Sequence, residues 1–420
     1  MKQKKLTVQQ NMLYNSMGSL TYLGCQWLIT VLVVRLSNYQ NAGNLSLAMS
    51  ITTVFYTIAT FGLYSFQVSD ISNKFKPADY VYSRYFTCFI AAILCAIFVF
   101  SNAHYTTEQT TCILIYMLYK LSEALMDVYH AFCQKAWRMD IIGISGVARG
   151  VLTLITFCTV LYATQSLTIA IISMTIVMYL ILLLYVIPSS KQLTTIVKRI
   201  QWKKIGLLLL ECWPLMLNGF LQSGIVSIPR YNLERLYSET VLGYYGSVAT
   251  PAVIVQTASS LLFNPLISSF SIYYQERDKK KFLMLIRKVI LCLLAVSVVV
   301  ILGAALLGRW GLALLFGEGI LPYAYLLIPV IFTTIMIAFS WFVGTLLTIV
   351  RRLKSMLVSN ACAAALAALT SPMLIQRFQM SGVNYAIYLA VGVSLVIQIA
   401  VLYHHLRRHF AAPKQTESDA

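Results

Sequence analysis

Tyr116, Lys120, Glu123, Asp127, His130 and Gln134 recur through one apolar block at spacings of 4, 3, 4, 3 and 4. On a helix turning 100° per residue they fall within an arc of about 80°. One face then carries an amine, two carboxylates, an imidazole, a phenol and an amide, groups that can bind an anion or exchange a proton. The next apolar block answers with Ser145, Arg149, Thr153 and Thr156 on a single stripe. Glu123 and Arg149 lie at matching depth, about 13 and 12 Å from the corresponding ends of their helices. Two readings stay open. A buried Glu123–Arg149 pair could pin two helices together, or it could open and close, with Lys120 or Arg149 meeting a phosphate in one state and Glu123 or Asp127 in the other.

Other polar residues keep helical register inside apolar blocks: Asn15, Tyr22 and Gln26 in the first, and Glu211, Asn218 and Gln222 in the seventh. Amides of this kind commonly serve as interhelical hydrogen bonds. Glu211 differs, because a carboxylate about 9 Å into a span must be protonated or paired. Protonation that changes between two states would couple proton flow to movement.

The elements that must position these groups follow from composition. Of 420 residues, 59% are hydrophobic and 11% charged, against about 45–50% and 25% in soluble chains. A helical span takes about 20 residues, and blocks bounded by charge fall at 12–34, 43–68, 85–101, 109–132, 141–163, 167–188, 205–228, 241–270, 282–308, 320–349, 355–376 and 382–403. The expectation is an all-α polytopic membrane protein with about 12 transmembrane helices. Long uncharged blocks exclude an outer-membrane barrel, and the absence of a large hydrophilic region excludes a soluble enzyme on one anchor. The basic start, Met1 to Lys5, precedes no cleavage pattern and reads as the flank of a retained first span.

Of the 32 lysines and arginines, 25 fall in segments on the side of the N-terminus, Arg84 among them. Basic residues resist translocation, so both termini are expected in the cytoplasm and the chain in the cell membrane. Spreading of the +18 charge over short loops argues against nucleic acid. Nine cysteines stand singly, without zinc spacing, and no cofactor motif appears. His404, His405 and His409 could hold a metal, but with Arg407 and Arg408 they read better as a juxtamembrane anchor on anionic lipid. Residues 189–204 read as an amphipathic surface helix joining two halves, or as a solvated charge run. The tail from Ala411 is expected to be disordered.

The halves, 1–200 and 201–420, repeat each other. Arg35-Leu36 precedes Gly43 as span 2 begins, and Arg235-Leu236 precedes Gly243 as span 8 begins, with the same Arg-to-Gly spacing of eight and an offset of 200. Six spans per copy put the repeat axis along the membrane normal and a path between the copies. Pro214, Pro229, Pro251, Pro265, Pro322 and Pro329 are expected to break or bend spans 7, 8 and 10.

On Val34-Arg35-Leu36, the glycine opening span 2, and the run Ile228-Pro229-Arg230-Tyr231-Asn232-Leu233-Glu234-Arg235-Leu236 followed by Leu242-Gly243-Tyr244-Tyr245, the chain resembles the Wzx-type polysaccharide flippases. These belong to the multidrug/oligosaccharidyl-lipid/polysaccharide exporter superfamily. The resemblance implies two six-helix lobes around a central cavity, alternating access, and passage of undecaprenyl-diphosphate-linked sugars from the inner to the outer leaflet. Partners would be that lipid-linked oligosaccharide, membrane lipids, and polysaccharide polymerase and export proteins. Lys120, Arg149, Arg35, Arg230, Arg235, Tyr22 and Asn218 are then the candidate substrate-binding residues, and Glu123, Asp127 and Glu211 the ion-coupling ones. Arginine suits phosphate and aromatic rings suit sugar faces. The competing readings are a cation-coupled drug exporter of the same superfamily, a peptidoglycan-precursor flippase, and a membrane enzyme acting on lipid-linked sugars. Short outer loops and the lack of a catalytic motif disfavour the enzyme.

Overall fold

In a computed structural model of the chain, residues 7–70, 74–102, 104–194, 200–252 and 266–411 are described. They are almost wholly helical, with no strand among them. Ten of their helical stretches are long and apolar enough to cross a membrane. The chain is a multi-pass membrane protein. The stripe-bearing fourth span is not among the ten, because its charged and amide residues lower its mean hydropathy. At 29 residues it is nevertheless long enough to cross. The predicted eighth span, 241–270, lies partly outside the described residues, as do Pro265, the basic start, residues 195–199 of the surface segment and the tail beyond Ala411.

The chain forms two compact units, Met1–Ser247 and Val248–Ala420. The first contains α1 (Val8–Leu36), α2 (Tyr39–Thr60), α3 (Leu63–Ser69), α4 (Pro77–Ser101), α5 (Thr107–Lys135), α6 (Met139–Thr164), α7 (Leu167–Ile181), α8 (Ile187–Lys191), α9 (Trp202–Leu236) and most of α10 (Glu239–Ala249). A π-helical turn, Leu182–Val186, carries α7 into α8. Side chains mark the starts: Thr7 and Thr106 form capping boxes with Gln10 and Gln109, and Asn38 accepts from the Asn41 amide. Each satisfies amides that a helix N-terminus leaves without partners.

Helix α5 is the centre of this unit, packed against α2, α3, α4, α6 and α7. Opposite its flank, α1 lies backbone to backbone on α6. A Cβ built on Gly18 would stand 2.5 Å from Gly143 Cα, and one on Gly150 would stand 3.0 Å from Tyr22 Cα. This close approach is the small-residue packing that membrane helices use when burial from water cannot drive association. It also sets Tyr22 and Arg149 on neighbouring backbones.

The predicted second span is two helices. Phe61 and Gly62 both adopt left-handed φ, at 50° and 67°, and end the 22-residue α2 before the seven-residue α3 begins. Pro214 and Pro229 lie inside α9 without ending it, whereas Pro251 stands in the turn after α10, one residue past Thr250.

The second unit contains α11 (Ile267–Gln275), α12 (Lys279–Phe316), a 3-10 segment (Glu318–Leu326) that includes Pro322, α13 (Leu327–Ile349), α14 (Leu353–Phe378) and α15 (Met380–Ala411). Phe270, Phe282, Leu293, Phe342, Leu346 and Leu347 form its apolar core. Helices α14 and α15 are joined by a buried polar seam, where Gln398 donates to Ser359 at 3.2 Å and Ser394 donates to Asn360 at 3.1 Å.

Candidate functional site

Within the first unit the α5 stripe faces α1, α2, α4 and α6, and the charges gather there. Lys120 Nζ contacts Glu123 Oε2 at 2.7 Å, one helical turn along the same face. The lysine lies among the rings of Tyr56, Tyr119 and Tyr116, 5.4, 5.8 and 6.0 Å from their centroids, so cation–π attraction adds to the ion pair. Tyr22 from α1 donates its hydroxyl to Glu123, and its oxygen lies 2.9 Å from that of Tyr119. Arg149 from α6 stacks on Tyr22, its guanidinium carbon 4.5 Å from the ring centroid, and its Nη1 approaches Met126 Sδ at 3.8 Å. The expected Glu123–Arg149 pair is therefore replaced by Glu123–Lys120. The nearer amine on the same helix wins, and the planar guanidinium takes the aromatic face.

Asp127, one turn further along, hydrogen-bonds Tyr56 and feels the charges of Arg84, Arg149 and Lys120. His130 Nε2 and Ser145 Oγ are 3.0 Å apart, Tyr64 donates to Gln134, and Gln26 donates to Thr153 at 3.5 Å. All six stripe positions thus have polar or ring contacts, which is how a membrane-embedded charged face avoids its transfer cost. The Lys120 side chain keeps 21% of its surface exposed and Glu123 8%. The cluster is reachable at the lysine end and closed at the carboxylate.

Arg84 belongs to this region although the sequence reading put it in a loop. Helix α4 starts at Pro77, so Arg84 is two turns inside it, with no exposed surface. Its Nη1 donates at 2.7 Å to the Ala59 carbonyl, which the left-handed break at Phe61–Gly62 frees, and Thr87 donates to the same oxygen at 2.8 Å. A cation at a helix C-terminus also complements the macrodipole. The signal available in sequence was Lys76-Pro77-Ala78-Asp79, a helix start with proline at its first position and an acid two residues on.

Of the other candidates, Glu211 on α9 pairs with Lys74 at 2.5 Å, with 28% and 52% of the side chains exposed. This pair lies apart from the α5 stripe. Asn218 is half-buried on α9, Arg35 and Arg235 are exposed in the last turns of α1 and α9, and the Arg230 guanidinium carbon lies 6.0 Å from the Tyr245 ring centroid. The structure therefore gathers Tyr22, Lys120, Glu123, Asp127 and Arg149, and leaves Glu211, Asn218, Arg35, Arg230 and Arg235 outside that group.

Among the described residues no set of three His, Cys, Asp or Glu could hold a metal ion. His405 accepts from Arg352 Nε at 3.2 Å and contacts the Tyr274 hydroxyl at 2.8 Å, while His409 stacks on Tyr274 at 4.1 Å.

The α2 and α10 helices approach each other at the repeat glycines. A Cβ on Gly43 would lie 1.7 Å from the Glu239 carbonyl oxygen, and one on Gly243 would lie 2.0 Å from that of Tyr39. The contact is reciprocal at an offset of 200, as a two-fold arrangement of repeated segments requires. Ser46 and Gly246, again 200 apart, also meet.

No protein-family model matches the chain. A Staphylococcus aureus protein, "Capsular polysaccharide biosynthesis protein CapF", is 26% identical over 329 residues, covering 76% of this chain and 80% of that one. Among solved structures, the lipid II flippase MurJ in an inward closed conformation superposes with a TM-score of 0.73 at 11% identity, over 95% of this chain and 90% of that one. An inward-facing multidrug resistance MATE family transporter of the MOP superfamily superposes at 0.69 and 13% identity, over 97% and 100%. The chain has the fold shared by these transporters.

Proposed function

We propose that the protein carries an undecaprenyl-diphosphate-linked oligosaccharide from the inner to the outer leaflet of the cell membrane by alternating access, with both termini cytoplasmic, for surface-polysaccharide export. The observation that carries this reading is the cluster of Lys120, Glu123 and Arg149 among the rings of Tyr22, Tyr56, Tyr116 and Tyr119, inside a membrane-spanning bundle. Phosphate oxygens need fixed cations and sugar rings need aromatic faces, and both would be costly to carry through hydrocarbon unaided. Lys120 and Arg149 are both partly exposed; an entering anion would compete with Glu123 for Lys120, and the freed carboxylate could take a proton. Asp127 would share that role, and Glu211 would follow the state of its pair with Lys74. Arg35, Arg230 and Arg235 would meet the diphosphate near the other end of the bundle. The likeness in sequence to a capsular polysaccharide protein and in fold to a lipid II flippase supports this substrate class.

The test is restoration of surface polysaccharide in a strain lacking its own flippase, followed by movement of a fluorescent lipid-linked oligosaccharide in vesicles containing the purified chain. The second reading, multidrug export, is favoured by one feature: Glu123 and Asp127 among tyrosine rings could hold an organic cation. Drug efflux without any restoration of polysaccharide would select it.

A further inference from the structure

We infer that Arg352, held in place by His405, binds the phosphate of an anionic phospholipid headgroup at the end of the second unit where α11, α13 and α15 finish and α12 and α14 begin. The inference requires only that the chain spans a membrane, so it stands or falls apart from the transport reading.

Three of those helix ends build the site. Arg351 turns the chain with a left-handed φ of 59°, which sets Arg352 directly before α14. Arg352 Nε donates to His405 Nδ1 at 3.2 Å. A ring nitrogen that accepts carries no proton, so His405 is neutral here and its hydrogen sits on Nε2, 2.8 Å from the Tyr274 hydroxyl. His409, one turn along α15, stacks on Tyr274 at 4.1 Å and reaches the Tyr274 backbone carbonyl through Nε2 at 3.1 Å. Phe282, Leu402 and Leu406 of the apolar core lie beneath, so the rings form a packed floor. The guanidinium is anchored by one edge only. Among the described residues its Nη groups have no hydrogen-bond partner, and Arg352 is exposed. An arginine fixed through Nε presents those two nitrogens as a fork that fits two oxygens of one phosphate.

Level and charge identify the occupant. Val396, Ile399 and Tyr403 form one exposed apolar face of α15, and the same face continues as Arg407. Tyrosine is a residue of the membrane–water interface. His405 lies two residues past Tyr403, about 3 Å further along the helix axis, and the headgroup layer outside the hydrocarbon is about 5–8 Å deep on each side. Arg352, bonded to His405, is therefore at the depth of lipid phosphates. Around it, residues 274–288, 349–354 and 403–411 hold eleven lysines and arginines against two acids, Glu276 and Asp278. Asp278 is already paired with Lys281 at 3.1 Å. Such a surplus draws anionic headgroups and gives no gain with zwitterionic ones.

The test counts lipids retained by the purified chain in native mass spectrometry, at matched amounts of monodisperse protein, after exchange into detergent with phosphatidylglycerol or phosphatidylcholine. The unsubstituted chain should retain phosphatidylglycerol in preference. Arg352→Lys keeps the charge and loses the fork, so retention should fall by about tenfold. Lys280→Gln removes a charge from the same patch and should cost less. Equal retention by Arg352→Lys and the unsubstituted chain would leave a diffuse basic surface and overturn the site. His405→Ala should act like Arg352→Lys, and His405→Gln, whose carbonyl can accept from Arg352 Nε, should recover retention; equal loss in both would overturn the positioning role. Displacement of phosphatidylglycerol by inorganic phosphate, or by undecaprenyl phosphate at equal concentration, would overturn the phospholipid assignment. Polysaccharide restoration plays no part in this readout, so failure of the transport reading leaves it intact.

Discussion

The guanidinium of Arg149 rests on the ring of Tyr22, and that same tyrosine's hydroxyl is hydrogen-bonded to Glu123. One residue of α1 thus joins the cation of α6 to the carboxylate of α5. Displacement of either charge must be felt by the other through a rigid ring, with no direct ion pair between them.

Arg149→Ala removes the stacked cation. Charge-assisted hydrogen bonds to an anion are worth about 1.5–3 kcal/mol, so polysaccharide export should fall by about tenfold to a hundredfold. Arg149→Lys keeps the charge and loses the planar contact, and should recover only part of it. Surface polysaccharide in a flippase-deficient strain, normalised to the amount of protein in the membrane, decides. Wild-type export from both variants would make Arg149 scaffolding.

Glu123→Gln keeps a hydrogen-bonding partner for Tyr22 and leaves Lys120 without its counter-charge. Breaking a buried pair costs about 3–5 kcal/mol at the upper end, discounted here for the partly exposed lysine. The single variant should melt at lower temperature in detergent. Adding Lys120→Met should restore much of the melting temperature but not export, which would separate stability from function. If the double variant exports normally, the pair is structural.

Arg84→Met should destabilise through a different group. The Ala59 carbonyl keeps Thr87 but loses its cation, a cost of about 1–3 kcal/mol. Combining it with Thr87→Val should lower the melting temperature further than the sum of the singles, because the two donors back each other up.

Lys74→Ala and Glu211→Ala should each leave the melting temperature nearly unchanged. An ion pair this exposed contributes about 0–1 kcal/mol. A large loss in either variant would show that the pair is far stronger than its exposure implies.

The cluster was legible because a membrane helix offers few reasons for a polar residue, so six of them in register on α5 had to share a face. The glycines matched in position after matched arginines were legible too, and they are points where α2 and α10 touch. What stayed hidden were the choices made between competing neighbours. Depth matching drew Glu123 to Arg149, but spacing of three along α5 offered Lys120 first. Arg84 looked like a loop residue because apolarity marks where hydrocarbon begins, whereas the helix begins at a proline in the polar zone. The break at Phe61–Gly62 carries no proline, and only Gly62 hinted at it.

That break has a mechanical consequence. Because Arg84 and Thr87 of α4 hold the severed end of α2, the two pieces of span 2 are anchored separately, α2 by donors of α4 at its end and α3 by its packing on α5. The second span is a jointed limb, long above the joint and short below it, fastened at the joint by a neighbour's arginine.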